Sequence, residues 1–212
     1  MERVFVGITG GSGHAYARAL IGALLDAGCA VDIAVTSAGS LVLAHEDGVT
    51  TDDDGRIADA ELERWLGGRD LTHLSSFGRS EVGAAPASGS ALGRAAILCP
   101  ASMGTLARVA AGLSSNLVER VADVAIKEGK TLVLVPRETP LSQIHLTNML
   151  RLARLGAVIL PAAPGFYHLP KTIDDLVDQV VGKVLRRIGI EPAEKLRWKG
   201  LEDEPPVEEG VQ

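Results

Sequence analysis

The sequence predicts an α/β protein of three layers in a single domain, with a mostly parallel sheet and helices on both faces, on three grounds. Apolar runs recur at 4–8, 31–35, 95–98, 132–135 and 158–160. They are short and do not alternate, as strands buried on both faces require. Helical patterns separate most of them, which is the mark of βα units. The 212 residues suffice for one domain with a sizeable core, and 46% hydrophobic with 23% charged residues is too apolar for disorder.

The first unit is the clearest. A strand at 4–8 meets the turn Gly10-Gly11-Ser12-Gly13, and an Ala/Leu-rich helix follows that closes on Gly28 as a left-handed cap. After the second strand a helix begins near Ser37 and carries His45 and Glu46. From 47 to 79 the pattern weakens: Asp52-Asp53-Asp54-Gly55 reads as a turn, 58–66 as a short amphipathic helix, and the whole stretch as a surface excursion. Residues 84–90, AAPASGS, fit either a solvated linker or a backbone lying close against a flat ligand. Pro100 closes the next strand. Ser102-Met103-Gly104-Thr105 leads into a helix, and another follows with Asn116 as N-cap and Glu119 three residues on, ending near Gly129. Thr172 is expected to cap the last long helix, whose apolar face runs through Ile173, Leu176, Val177, Val180, Val181 and Val184. The domain is expected to fill 1–200. Residues 201–212 are acidic with little to bury, and read as a disordered tail.

Charge and cysteine usage narrow the function classes. With 27 acidic and 21 basic residues the net charge is -6, so no field gathers nucleic acid or an anionic membrane. Cys29 and Cys99 lie far apart without metal-ligand spacing, which fits packing roles in a reducing compartment and predicts no metal site. The first residues show no basic stretch followed by a cleavable apolar segment, and no apolar stretch approaches the roughly 18 residues of a membrane span. A cytoplasmic protein is expected.

The chemistry concentrates where strands end. The stretch 132–140, LVLVPRETP, stops on Arg137 and Glu138 between two prolines. In open parallel sheets ligands bind outside the carboxyl ends of strands. A guanidinium fork and an adjacent carboxyl suit a phosphate ester, although a local ion pair capping the strand accounts for the same residues. Gly10, Gly11, Ser12 and Gly13 offer backbone N–H groups and a hydroxyl at a helix end, or simply a tight turn. They lack the GxGxxG spacing, since position 16 is Tyr16. Ser102 to Thr105 repeats that chemistry, and Thr36 with Ser37 adds a polar edge or a helix cap. Arg120, Asp123 and Lys127 share one helix face, which by spacing alone reads as a solvated ladder. Phe166-Tyr167-His168 follows a turn-rich stretch, as a ligand contact or as a plug over the sheet. Lys183, Arg186 and Arg187 fall where cations complement a helix dipole.

Together ITGGSG, PASGS, NLVER at 116–120, LVLVPRETP, IHLTNML and GAVILPAAPGFYH resemble the UbiX flavin prenyltransferase family, in its order and spacing, up to Trp198. The resemblance implies a Rossmann- or flavodoxin-like flavin-binding fold. It also implies a metal-independent transferase that joins a dimethylallyl group, from dimethylallyl monophosphate, to reduced FMN. The product is the prenylated cofactor of UbiD-type decarboxylases. It assigns Gly10, Gly11, Ser12, Thr36, Ser102, Met103, Gly104, Thr105, Arg120 and Arg137 to the flavin. Lys127, Arg137, Glu138, Tyr167, Lys183 and Trp198 are assigned to the prenyl phosphate and the allyl group. Glu138 is the expected acid, with Glu46 and Ser12 moving protons during ring closure. A homo-oligomer, a dodecamer, is implied. The family usually carries arginine where Lys183 stands; lysine keeps the point charge and loses the two-pronged grip. The related flavin-dependent cysteine decarboxylases are a second reading, but their PxMNxxM motif does not occur here. A non-catalytic flavin carrier is a third.

Overall fold

The computed structural model describes residues 1–193. Trp198 and the acidic tail at 201–212 lie outside the described residues. The strands are β1 (Arg3–Ile8), β2 (Ala30–Val35), β3 (Leu74–Phe77), β4 (Ala95–Ala101), β5 (Thr131–Pro136) and β6 (Val158–Ile159). The helices are α1 (His14–Asp26), α2 (Ser37–Asp47), α3 (Asp59–Trp65), α4 (Met103–Ala110), α5 (Leu117–Lys127), α6 (Gln143–Arg154) and α7 (Ile173–Arg187). The sheet order is β3-β2-β1-β4-β5-β6, with every pairing parallel.

Alternation along each strand divides the core in two, because successive side chains leave opposite faces. Val4, Val6 and Ile8 of β1 face the layer made by Leu20, Ile21 and Leu24 of α1 and Val180, Val181 and Val184 of α7. Phe5, between them, faces Leu106 of α4 and Val118, Val121 and Ala122 of α5. The caps read from the sequence at Thr36, Asn116 and Thr172 are present, and Ser102 adds one that was not expected. Thr36, Ser102, Asn116 and Thr172 each accept a backbone N–H at the start of a helix, and Gly28 has φ +74°. Cys29 and Cys99 are buried free thiols. The apolar stripe of α7 becomes fully buried only from Val177 on, and Ile173 is 76% exposed.

The stretch 47–79 is no surface excursion. Ile57, Leu62, Trp65 and Leu66 are buried in the α1/α7 layer, and β3 extends the sheet beyond β2. The indole Nε1 of Trp65 donates to Asp47 Oδ2 at 2.6 Å. The strand escaped the sequence pattern because an edge strand is only half covered, and β3 reads Leu-Ser-Ser-Phe with no apolar run. The segment 84–90 is not a solvated linker either: its short 3-10 turn buries Pro86 and Ala87 against α5. Pro100 does not end its strand, which continues to Ala101 with a register shift after Leu98.

The sheet reverses its strand order between β1 and β4. From β1 the chain fans through β2 to β3 on one side, and from β4 through β5 to β6 on the other. The helices that follow β1 and β4 lie on opposite faces, so a crevice opens at the carboxyl ends of these two strands. If the 47–79 stretch is core, Trp65→Ala lowers the free energy of chemical unfolding by about 3–5 kcal/mol. A loss near zero in a urea titration would mean that the stretch is peripheral after all.

Candidate functional site

One buried side chain ties the two sides of the crevice together. Thr9, the residue after β1, is fully buried. Its N–H and its hydroxyl both donate to the Pro100 carbonyl, at 3.2 and 2.8 Å, and its Oγ1 accepts from Ser102 N–H at 2.7 Å. Close approach then excludes side chains around it. A Cβ at Gly10 would lie 2.6 Å from Ala38 Cβ, and one at Gly39 would lie 2.7 Å from the Ile8 carbonyl oxygen. The glycine turn, the first turn of α2 and the first turn of α4 therefore share one small space. The hydroxyls of Thr36 and Ser102 are engaged as caps, by Gly39 N–H at 3.1 Å and Thr105 N–H at 3.3 Å, and Ser102 and Thr105 share a hydrogen bond of 3.0 Å. Met103 and Thr105 are buried, whereas Gly104 is exposed. The capping reading of Thr36 thus holds, Ser102 caps α4 in the same way, and the N-termini of α2 and α4 are aimed at the crevice.

The third helix N-terminus is closed by a carboxylate from another element. Gly13, at φ +105°, and His14 donate their N–H groups to Glu46 Oε2, each at 2.9 Å, and α1 has no side-chain cap of its own. Burial alone would push the Glu46 carboxyl up. Hydrogen bonds from the Ser12 hydroxyl and from the His14 and Gly13 N–H groups outweigh that and hold it below the usual carboxylate range. Glu46, with a side chain 24% accessible, is therefore ionised at neutral pH.

Arg137 follows β5 and reaches back across β4, its Nε donating to the Ser12 carbonyl at 3.2 Å. Glu138 beside it is exposed, and its Oε1 accepts from Thr139 N–H at 3.1 Å. Arg120 sits in the first turns of α5 and pairs with Asp123 Oδ2 at 3.3 Å. The structure thus gathers Gly10, Gly11, Ser12, Thr36, Ser102, Thr105 and Arg137, with Glu46 behind them.

Within one chain Lys127 and Lys183 do not join Arg137, Glu138 and Tyr167. Helix α5 starts at the carboxyl edge of the sheet, where Leu117 N–H donates to the Arg79 carbonyl just beyond β3, and runs down to the start of β5. Lys127 ends it, about 10 Å along the axis from Arg120, and pairs with Glu128 at 3.2 Å. Helix α7 runs the same way. Its last carbonyls are tied by Arg94, Nε to the Ile188 oxygen at 2.5 Å, to the approach to β4 at the amino edge, so exposed Lys183 also lies toward that edge. Tyr167 is exposed and meets His168 edge-on at 5.7 Å between ring centroids. Its loop is pinned to α7 by Gln179, which accepts from Gly165 N–H and bonds His168 Nδ1 at 2.8 Å. Phe166 is 70% exposed, so the aromatic pair is no plug over the sheet.

The residues present fit a flavin mononucleotide. Crowded glycines allow a flat ring to approach the backbone, N–H groups and the Ser12 hydroxyl suit its polar edge, and Arg137 and the helix N-termini suit a phosphate. Groups of three or more His, Cys, Asp or Glu that could hold a metal are absent among the described residues. Thr9 and His14, both central here, were missed from sequence. A lone threonine after an apolar run and a histidine opening a helix carry no pattern.

An open parallel sheet with a backbone cradle at its switch point, and without the dinucleotide fingerprint, defines a mononucleotide-binding α/β protein. A family model described as Flavoprotein matches residues 1–185. The chain is 45% identical over 197 residues to flavin prenyltransferase UbiX of Pseudomonas aeruginosa, covering 93% of this chain and 94% of that protein. It is 48% identical over 194 residues to UbiX of Halalkalibacterium halodurans, covering 91% of each. It superposes with a TM-score of 0.79 and 32% identity on AnUbiX in complex with FMN and dimethylallyl pyrophosphate, covering 94% of this chain and 98% of that one. A dodecameric FMN-dependent UbiX-like decarboxylase from Escherichia coli O157:H7 gives 0.78 and 36%, covering 94% and 100%. The chain belongs to the UbiX-type flavin prenyltransferases of the flavoprotein family. The cysteine decarboxylase of thioviridamide biosynthesis, at 16% identity and a TM-score of 0.58, shares the fold alone.

The state of Glu46 can be read in stability. Its folded-state carboxyl is depressed, so its contribution is complete above the ordinary glutamate value of about 4.3 and is lost as pH falls through the depressed one. The stability gap between wild type and Glu46→Gln, followed by chemical unfolding, is expected to narrow as the medium is acidified through that range. A gap independent of pH would contradict an ionised cap.

Proposed function

We propose that the chain transfers a dimethylallyl group from dimethylallyl monophosphate to reduced FMN, giving prenylated FMN. The observation that carries this reading is Arg137, placed after β5 and leaning onto the glycine turn, with an exposed carboxyl one residue on. That arrangement occurs in a chain whose UbiX relatives match it almost end to end.

The physical problem is an allylic phosphate that leaves poorly until its charge is neutralised. Arg137 supplies a fixed guanidinium, and Glu138 supplies the proton that a departing phosphate oxygen takes. Reduced flavin, when bound, supplies the nucleophilic ring. Gly10, Gly11, Thr36, Ser102, Met103, Gly104 and Thr105 hold it in the crevice with Arg120 and Arg137, and Ser12 presents a hydroxyl to its edge. Trp198, outside the described residues, is assigned to the allyl group by resemblance alone.

Lys127 and Lys183 reach a donor phosphate when a neighbouring copy presents them, since each lies toward the amino edge of its own sheet. An association face is available for such copies. Leu141, Ile144, Leu146, Leu150 and Leu155 on and beside α6 are exposed, and so are Phe166 and Leu169. A dodecamer, as in the UbiX-like neighbour, accounts for both features. Lys183 contributes a point charge to the phosphate. A UbiD-type decarboxylase is the recipient this reading implies for the product, and two buried free thiols are in keeping with a reducing compartment such as the cytoplasm. Among the described residues no helix is long and apolar enough to cross a membrane.

Anaerobic incubation with reduced FMN and dimethylallyl monophosphate, followed by mass spectrometry of the flavin, is expected to show a gain of one isoprene unit. Glu138→Gln should keep flavin affinity and lose turnover by about 10²–10⁴-fold. Unmodified flavin in the wild-type reaction would favour a carrier. The composite site has its own test: inactive Lys127→Ala and Glu138→Gln chains, co-expressed, are expected to regain activity in mixed oligomers, because some sites then receive both wild-type residues. No recovery would confine the site to one chain.

A further inference from the structure

Behind Ser12 and Glu46 lies a histidine ring that nothing above uses. The His14 side chain is 0% exposed, and the Thr9 and Val42 carbonyls and the Glu46 carboxylate that face its ring are all hydrogen-bond acceptors. Nε2 is 3.2 Å from the Thr9 carbonyl oxygen, Nδ1 is 3.5 Å from Glu46 Oε2, the Val42 carbonyl of α2 also faces the ring, and Asp47 adds a second negative charge from that helix. A neutral imidazole carries one N–H. With that hydrogen on Nε2 for Thr9, Nδ1 stands as a bare lone pair before a carboxylate, and it has no hydrogen-bond partner. With the hydrogen on Nδ1, the other nitrogen faces the Thr9 oxygen bare. Only a second proton satisfies both. Burial opposes that charge and, as the largest influence, holds the His14 pKa below its usual value despite the acceptors around it. The couple therefore rests one proton short, and a proton arriving at either partner turns two opposed acceptors into an Nδ1–H to Oε2 ion pair.

We infer that Glu46 and His14 form a one-proton store reached through Ser12, with His14 a positioning residue that acts through Glu46. The inference rests on the transferase reading, and the chemistry of ring closure says what such a store is for. Joining an aromatic carbon to the prenyl double bond adds that C–H across the C=C. One carbon–carbon bond forms, the ring carbon loses a proton, and the alkene carbon gains one. Nothing is oxidised or reduced, and no net base is consumed. What the step requires is a place to hold one proton between loss and delivery, within reach of the flavin edge. The Ser12 hydroxyl bonds Glu46, and Glu46 faces His14, so a proton passed to the Ser12 oxygen displaces that of the hydroxyl onto the carboxylate and the imidazole. The reverse sequence returns it.

The first test needs no flavin. In the full chain labelled with ¹⁵N-histidine, the His14 ring is expected to be the neutral Nε2–H tautomer at neutral pH. It should take its second proton on acidification, and at a lower pH in Glu46→Gln, which has lost the charge that favours the imidazolium. An imidazolium at neutral pH, an Nδ1–H tautomer, or a titration unmoved by Glu46→Gln overturns the store. The second test uses His14→Gln, whose amide can still donate to the Thr9 carbonyl but cannot take a proton. Flavin affinity by fluorescence quenching is expected to be unchanged, prenyl transfer to slow by about 10²-fold, and the acid limb of its pH profile to vanish. A wild-type rate and profile, or a loss of flavin affinity that explains the slower rate, overturns the inference. A wild-type protein that prenylates no flavin refutes the transferase reading instead, and the ¹⁵N titration still decides whether the store exists.

Discussion

Everything at the carboxyl edge depends on how β1 meets β4, and that meeting is governed by the buried hydroxyl of Thr9. Its two hydrogen bonds, with a third from the Thr9 backbone N–H, join the turn after β1 to Pro100 and Ser102. Buried backbone groups left unpaired at this point would each cost about 1–3 kcal/mol, so the two strand ends are held at a fixed separation. Gly10 against Ala38 and Gly39 against Ile8 then fix α2 relative to the same turn. The crevice is thus set by backbone contacts, and the side chains that line it inherit their positions from them. Arg137 belongs to this arrangement through its bond to the Ser12 carbonyl.

Helices α1, α2 and α4 open onto the crevice, and they are not equivalent. Thr36 and Ser102 cap α2 and α4 with neutral hydroxyls, leaving the positive ends of these helices free to attract a ligand anion. The start of α1 already holds an anion, the Glu46 carboxylate, which takes the N–H groups of Gly13 and His14. The positive ends left for an anion are therefore those of α2 and α4, beside Arg137, whereas the start of α1 is already neutralised. The same carboxylate links a surface hydroxyl, Ser12, to a fully buried imidazole.

The cations show the opposite limit. In a parallel sheet a helix that starts at the carboxyl edge runs back toward the amino edge, so residues late in α5 and α7 stand a strand's length from residues that follow β5. Lys127 and Arg137 flank β5 at its two ends, and no side-chain rotamer of one chain brings them to one phosphate. Single-chain geometry thus gathers the crevice residues around Arg137 and leaves Lys127 and Lys183 apart from them. The exposed apolar residues of α6 and of the loop at 161–170 are the complementary fact, since a surface of that kind asks for a partner.

Much of this was legible in the sequence, and for one reason. Strand runs, the caps at Thr36, Asn116 and Thr172, and the left-handed Gly28 are set by residues within four positions of one another, which is the reach of backbone hydrogen bonds in helices and turns. The motifs at 8–13, 102–105 and 132–140 fixed the chemistry by the same local logic. Three things needed the folded chain. The half-covered edge strand β3 had no periodicity to reveal it, because only one neighbour buries it. Thr9 and His14 owe their roles to partners 91 and 32 residues away, Pro100 and Glu46, and spacing is silent about contacts between distant segments. Lys127 and Lys183 were grouped with Arg137 by resemblance, yet the direction in which each helix crosses the sheet separates them. Local order is written in neighbouring residues, whereas the meeting of strand ends and helix ends is decided by topology and packing.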